Sequence, residues 1–197
     1  MTSTQWGGLV AAIAIGVAAL ALIALHLLPT GLSPLRDPVS RYGITRFRAG
    51  YATAALAAGV AGIGSLLAVA ALPGSLPTVV LLAVFAAARI LIPFFPMDAP
   101  EASKTTTGRV HNVLAVLAFG AVIAAMFVAA GMLHDAGFVA AGLVATIGGV
   151  VGVVGTLHML VSRRSPRLAW GFGLGERLIY LAFIEWIAVL GASALTS

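Results

Sequence analysis

The chain has no cysteine. That excludes disulfides, thiolate nucleophiles, iron–sulfur clusters and cysteine zinc sites, and leaves the redox compartment open. Charge is almost as scarce: 9% of the 197 residues are Asp, Glu, Lys or Arg, against roughly a quarter in an ordinary soluble domain. There is no low-complexity tail, no linker and no periodic repeat. The His-Glu-x-x-His spacing of zinc proteases is missing, and no nucleophile-elbow sequence surrounds a serine.

What the chain has instead is apolar length. Hydrophobic residues make up 61% of it, more than a water-soluble fold of this size can hide. A bilayer-spanning helix needs about 20 mostly apolar residues, and the sequence supplies that length six times. The spans run about Trp6–Leu28, Ala49–Leu72, Pro77–Phe95, Gly108–Leu133, Phe138–Val161 and Glu176–Leu195. The expected fold is all-α: a polytopic integral membrane protein, one six-transmembrane-helix bundle over residues 1–197. The first apolar run is longer than a signal-peptide core of about 7–15 residues and lacks basic residues before it, so it reads as a retained helix. Pro73-Gly74-Ser75-Leu76-Pro77 and His134-Asp135-Ala136-Gly137 read as tight turns. Thr107 is the expected N-cap of the fourth span, and Gly148, Gly152 and Gly155 in the fifth mark close helix approach.

The formal charge is +5 and ten of the eleven basic residues are arginine. Every Lys and Arg lies in the first, third and fifth connections or the adjoining helix ends. Membrane lipids, and not nucleic acid, are therefore the expected partners. The positive-inside rule predicts cytoplasmic charged connections and both termini outside. The Arg-, Ala-, Gly- and Val-rich composition points to a bacterial cell membrane.

The chemically capable groups gather at that same end. The first connection holds Asp37, Ser40, Arg41 and Tyr42; the second charged segment holds Asp98, Glu101, Arg109, His111 and Asn112; Glu176, Arg177 and Tyr180 open the last span. His26, His111 and His158 lie near one membrane level on three helices. Three imidazoles leave one zinc position open, while His26 alone reads equally as an interface residue and His158 as a helix-packing donor. Arg41 and Arg109 are the candidate anion holders, with Asp37 and Asp98 as alternative salt-bridge partners. Arg36, Arg163, Arg164 and Arg167 read as topology signals that touch lipid phosphate. Glu185 falls nine residues into its span, about 13 Å deep at about 1.5 Å per residue. A carboxylate there is expected to be protonated or paired. Arg89, six residues before the end of its own span, is the expected buried partner, and a proton-handling site is the alternative.

Four stretches carry a family resemblance. They are Asp37-Pro38-Val39-Ser40-Arg41-Tyr42-Gly43, Phe95-Pro96-Met97-Asp98, Gly108-Arg109-Val110-His111-Asn112 and Gly173-Leu174-Gly175-Glu176-Arg177-Leu178. In order and placement between spans they resemble the domain of unknown function 998 family of bacterial and archaeal membrane proteins. The resemblance implies a six-helix membrane fold and no activity. It directs attention to Asp37, Ser40, Tyr42, Asp98, Gly108, His111, Glu176 and Arg177. A looser similarity joins the chain to membrane hydrolases that combine Ser, Asp and His at one membrane face, although their paired histidines on a last helix are missing here.

Four functions follow as expectations. The first is an interfacial enzyme, a hydrolase or transferase acting on a lipid or lipid-linked substrate. In it Asp37, Ser40, Asp98 and His111 are catalytic, and Arg41, Tyr42, Arg109, Asn112, Glu176 and Arg177 hold substrate. The second is a small transporter or ligand-binding module centred on Arg89 and Glu185. The third is a haem or quinone redox protein using His111 and His158. The fourth is a structural accessory subunit. Zinc and haem are both admissible cofactors and neither is required.

Overall fold

The structure is a computed structural model that describes residues 1–165 and 167–197. Six helices in it are long and apolar enough to cross a membrane. They are α1 (Ser3–Leu27), α2 (Arg48–Val69), α3 (Leu76–Leu91, extended by a 3-10 turn Ile92–Phe94), α4 (Thr106–Asp135), α5 (Val139–Arg164) and α6 (Phe172–Leu195). Among the described residues there is no strand. The expected spans match these helices to within a few residues. The N-cap of α4 is Thr105, whose side chain accepts from Gly108 N, and not Thr107.

Each helix packs on the next, and α6 packs back on α1, so the six form a closed ring. The last helix also touches α2 and α4, which brings it toward the centre. Lipid offers no hydrophobic drive for helix association, so close van der Waals packing must supply it, and small residues permit the approach. A methyl group on Gly7 of α1 would lie 2.5 Å from Ala68 N of α2, and one on Gly155 of α5 would lie 2.6 Å from Gly175 O of α6. Alanine and glycine fill much of the buried seams, while Ile13, Leu20, Val80, Val116 and Leu143 face outward. This inversion suits a bundle bathed in hydrocarbon.

The largest difference from expectation is the start of α6. It begins at Phe172, four residues before the expected Glu176. Gly173 and Gly175 sit in its first turn because backbone runs against them: Pro34 O and Asp37 O on one side, Gly155 O on the other. Glycine normally weakens a helix, but here it admits neighbours that a side chain would exclude. Glu176 is consequently one turn inside the helix and buried.

A polar site at the charged end of the ring

The connection between α1 and α2 folds inward and touches both other charged segments. Its residues Val39–Ile44 form a 3-10 helix with Val39 and Tyr42 buried. The Val39 N–H donates to Glu176 Oε2 at 2.6 Å, and Leu174 N donates to Leu35 O at 3.1 Å. On the other side the Ser40 hydroxyl donates to Met97 Sδ at 3.2 Å. Asp37 accepts from Ser33 N at 2.7 Å and is paired with Arg41.

Arg177 fastens this connection to α1 and α6. Its Nε donates to His26 Nε2 at 2.8 Å, and its Nη1 donates to Asp37 O at 2.8 Å and to Gly173 O at 3.0 Å. His26 Nδ1–H in turn donates to Leu22 O at 2.6 Å. Both ring nitrogens of His26 are thereby used, and the imidazole is the neutral Nδ1–H tautomer. Its edge packs against Tyr42, with ring centroids 5.6 Å apart.

Deeper in the ring is a second polar group built from four helices. Arg89 of α3 is 2% exposed, His111 of α4 3% and Glu176 of α6 5%; Tyr51 of α2 and Tyr180 of α6 are also buried. Arg89 Nη1 donates to the Tyr180 hydroxyl at 2.9 Å, and the guanidinium lies 5.2 Å from the centroid of that ring. Tyr51, Tyr180 and Glu176 are the other groups that bear on Arg89 electrostatically, and Arg89 in turn bears on His111. His111 Nδ1–H donates to Phe95 O at 2.7 Å, so its Nε2 carries the lone pair. Phe119 and Phe183 pack on Tyr180, and Phe85 packs on Phe183, forming an aromatic floor beneath the group.

The position of Arg89 is chemically unusual. A buried guanidinium is normally held by a carboxylate. Among the described residues Arg89 makes no ion pair, and its Nε has no hydrogen-bond partner. Arg177 likewise keeps a buried Nη2 without a partner. Glu176 is the carboxylate on which both cations bear, and its contact is the Val39 amide.

Several sequence expectations change here. Arg89 does not pair with Glu185: its contact is Tyr180, and Glu185 lies exposed on the outer face of α6. Helical periodicity explains this, because Tyr180 faces the ring interior and Glu185, five residues on, is turned away from it. Among the described residues no group of three His, Cys, Asp or Glu side chains gathers as metal ligands. In the ring α1 stands apart from α4 and α5, and His26 is already committed at both nitrogens. His158 packs against Trp170 and Gly171, surroundings different from those of His111. Arg109 and Asn112 flank His111 in sequence yet both are exposed, since adjacent helical positions point about 100° apart.

Asp98 is partly exposed and acts as a helix-capping group. Its Oδ1 accepts from Thr105 Oγ1 at 2.6 Å and its Oδ2 from Thr105 N at 3.1 Å. These two bonds hold the Asp98 carboxyl below its ordinary value. A methyl on Gly108 would fall on that carboxylate, which accounts for glycine there. Tyr51 was the member that sequence reading missed. Its only signal was an isolated phenol early in an Ala- and Gly-rich helix.

Six helices long and apolar enough to span, with every Lys and Arg on the side of the first, third and fifth connections, define a multi-pass membrane protein. The chain belongs to the family described as protein of unknown function (DUF998), whose model matches residues 12–193. No curated protein and no solved structure matches it.

Proposed function

We propose that the charged end binds the anionic headgroup of a lipid or lipid-linked substrate and acts on it as a hydrolase or transferase. The observation that carries this reading is the buried Arg89 guanidinium, which has a neutral phenol in contact and no anion. Burying a cation without a counter-charge is costly, and a phosphate or carboxylate reaching between α3, α4 and α6 would remove that cost. Arg177 Nη2 offers a second donor near the same end. His111 supplies the proton acceptor: its Nδ1–H is held by Phe95 O, leaving Nε2 as a base. Ser40 is a poor nucleophile for this reaction, because its hydroxyl donates to a thioether and contacts no histidine or carboxylate among the described residues. The charged end is cytoplasmic in this reading, where anionic lipid is met by the exposed Arg36, Arg46, Arg48, Arg163 and Arg164, in a bacterial cell membrane.

The test is native mass spectrometry of detergent-purified protein titrated with phosphatidylglycerol and, separately, phosphatidylcholine. The reading expects preferential retention of the anionic lipid, reduced about tenfold or more in Arg89→Met, as loss of a charge-assisted contact of about 1.5–3 kcal/mol implies. In His111→Ala binding stays and lipid turnover disappears. Equal retention of both lipids, unchanged by Arg89→Met, refutes the anion site; unchanged turnover in His111→Ala refutes the role of the base.

A further inference from the structure

Glu185 stands apart from the polar site. It lies thirteen residues into α6 and ten from its end, about 20 Å and 15 Å along the helix at about 1.5 Å per residue. It faces outward at mid-membrane. Beside it is a cleft of about 150 Å³ between α5 and α6, lined by Val144, Ile147, Gly148, Val151, Leu181 and Ala182 together with Glu185 itself. The cleft is shaped by small residues: a methyl on Gly148 would lie 3.3 Å from Ala182 O. No other lining residue is titratable or charged, and among the described residues Glu185 forms no ion pair.

Hydrocarbon does not solvate a carboxyl group. An ionised side chain at this depth needs a counter-charge, and a neutral one still carries a strong O–H donor and a carbonyl acceptor that lipid cannot satisfy. We propose that the α5–α6 face docks against a second copy of this chain, with the two Glu185 carboxyl groups hydrogen-bonded to each other across a two-fold axis. A neutral carboxyl is donor and acceptor at once, so it is complementary to an identical group. That is the requirement of an isologous interface, in which the same patch serves both subunits. The steric pattern is self-complementary too. Leu181, half exposed, and Ile147 stand as ridges at the rim, and the Gly148–Ala182 cleft between the helices can receive a ridge from the other copy.

Because the chain has no cysteine, single-cysteine variants report the contact directly. Leu181 is one helical turn from Glu185 on the same face; Val80 faces outward on α3, across the ring. In proteoliposomes treated with copper–phenanthroline, Leu181→Cys is expected to form cross-linked dimer and Val80→Cys is not. Adding Glu185→Leu to Leu181→Cys should lower the yield at least fivefold, while Glu185→Gln, whose amide pairs as donor and acceptor, should preserve it. An apolar residue on a lipid-facing surface leaves the fold intact, which circular dichroism checks. Equal cross-linking at positions 181 and 80, or a yield at 181 unaffected by Glu185→Leu, overturns the proposal. So does a monomeric protein that binds tetraphenylphosphonium through Glu185, which would assign the carboxyl to a lipophilic cation.

Discussion

Arg177 makes three donations, into the His26 imidazole and the carbonyls of Asp37 and Gly173. Replacing it with methionine leaves those acceptors buried against an apolar chain. The expected loss is about 3 kcal/mol, read as a lower unfolding midpoint in detergent, with lysine recovering little because it lacks the guanidinium fork. Asp98 gives a pH dependence. Its folded value is depressed, so its contribution is complete above the unfolded value of about 3.9 and fades as pH falls through the lower folded one. Wild-type stability should therefore drop below pH 4 more steeply than that of Asp98→Asn. Removing the adjoining cap with Thr105→Ala should cost about 1 kcal/mol at neutral pH, and Gly108→Ala should cost more, since it displaces the Asp98 carboxylate.

At the level of elements, the helices and their order follow from apolar length and from the Pro/Gly turns, so six spans and their common charged end were legible. Which face of each helix looks inward was not. Arg109, His111 and Asn112 lie within four consecutive positions, and only the packing of α4 shows that His111 enters the ring while its neighbours leave it. The inward fold of the first connection was equally hidden, because it depends on Gly173 accepting the carbonyls of Pro34 and Asp37, a contact 136 to 139 residues distant in the chain. Composition did announce tight helix seams, and these are testable. On α2, a methyl at Gly64 would lie 2.8 Å from Gly7 O of α1, whereas Gly16 has open space beside it. Gly64→Leu should destabilise the protein by about 3 kcal/mol in a dodecyl-sulfate unfolding titration, and Gly16→Leu should leave the midpoint unchanged.

The whole molecule places a buried polar group, screened below by aromatic rings, at the end of the ring where exposed arginines accumulate. If that end is cytoplasmic, a C-terminal alkaline phosphatase fusion in bacterial cells is active and a C-terminal green fluorescent protein fusion is dark; the reverse pattern inverts the orientation. The arrangement also explains why Arg89 does not meet Glu185. Both Glu176 and Glu185 lie on α6, and depth alone favours Glu185, but the closed ring turns Glu176 and Tyr180 inward toward α3 and leaves Glu185 facing outward. The most direct test of the anion site is a crystal structure grown in a lipidic mesophase doped with phosphatidylglycerol. The account predicts a phosphate or carboxylate group within hydrogen-bond distance of Arg89 Nε. An Arg89 Nε bonded to water or to protein, with no anion between α3, α4 and α6, would contradict it.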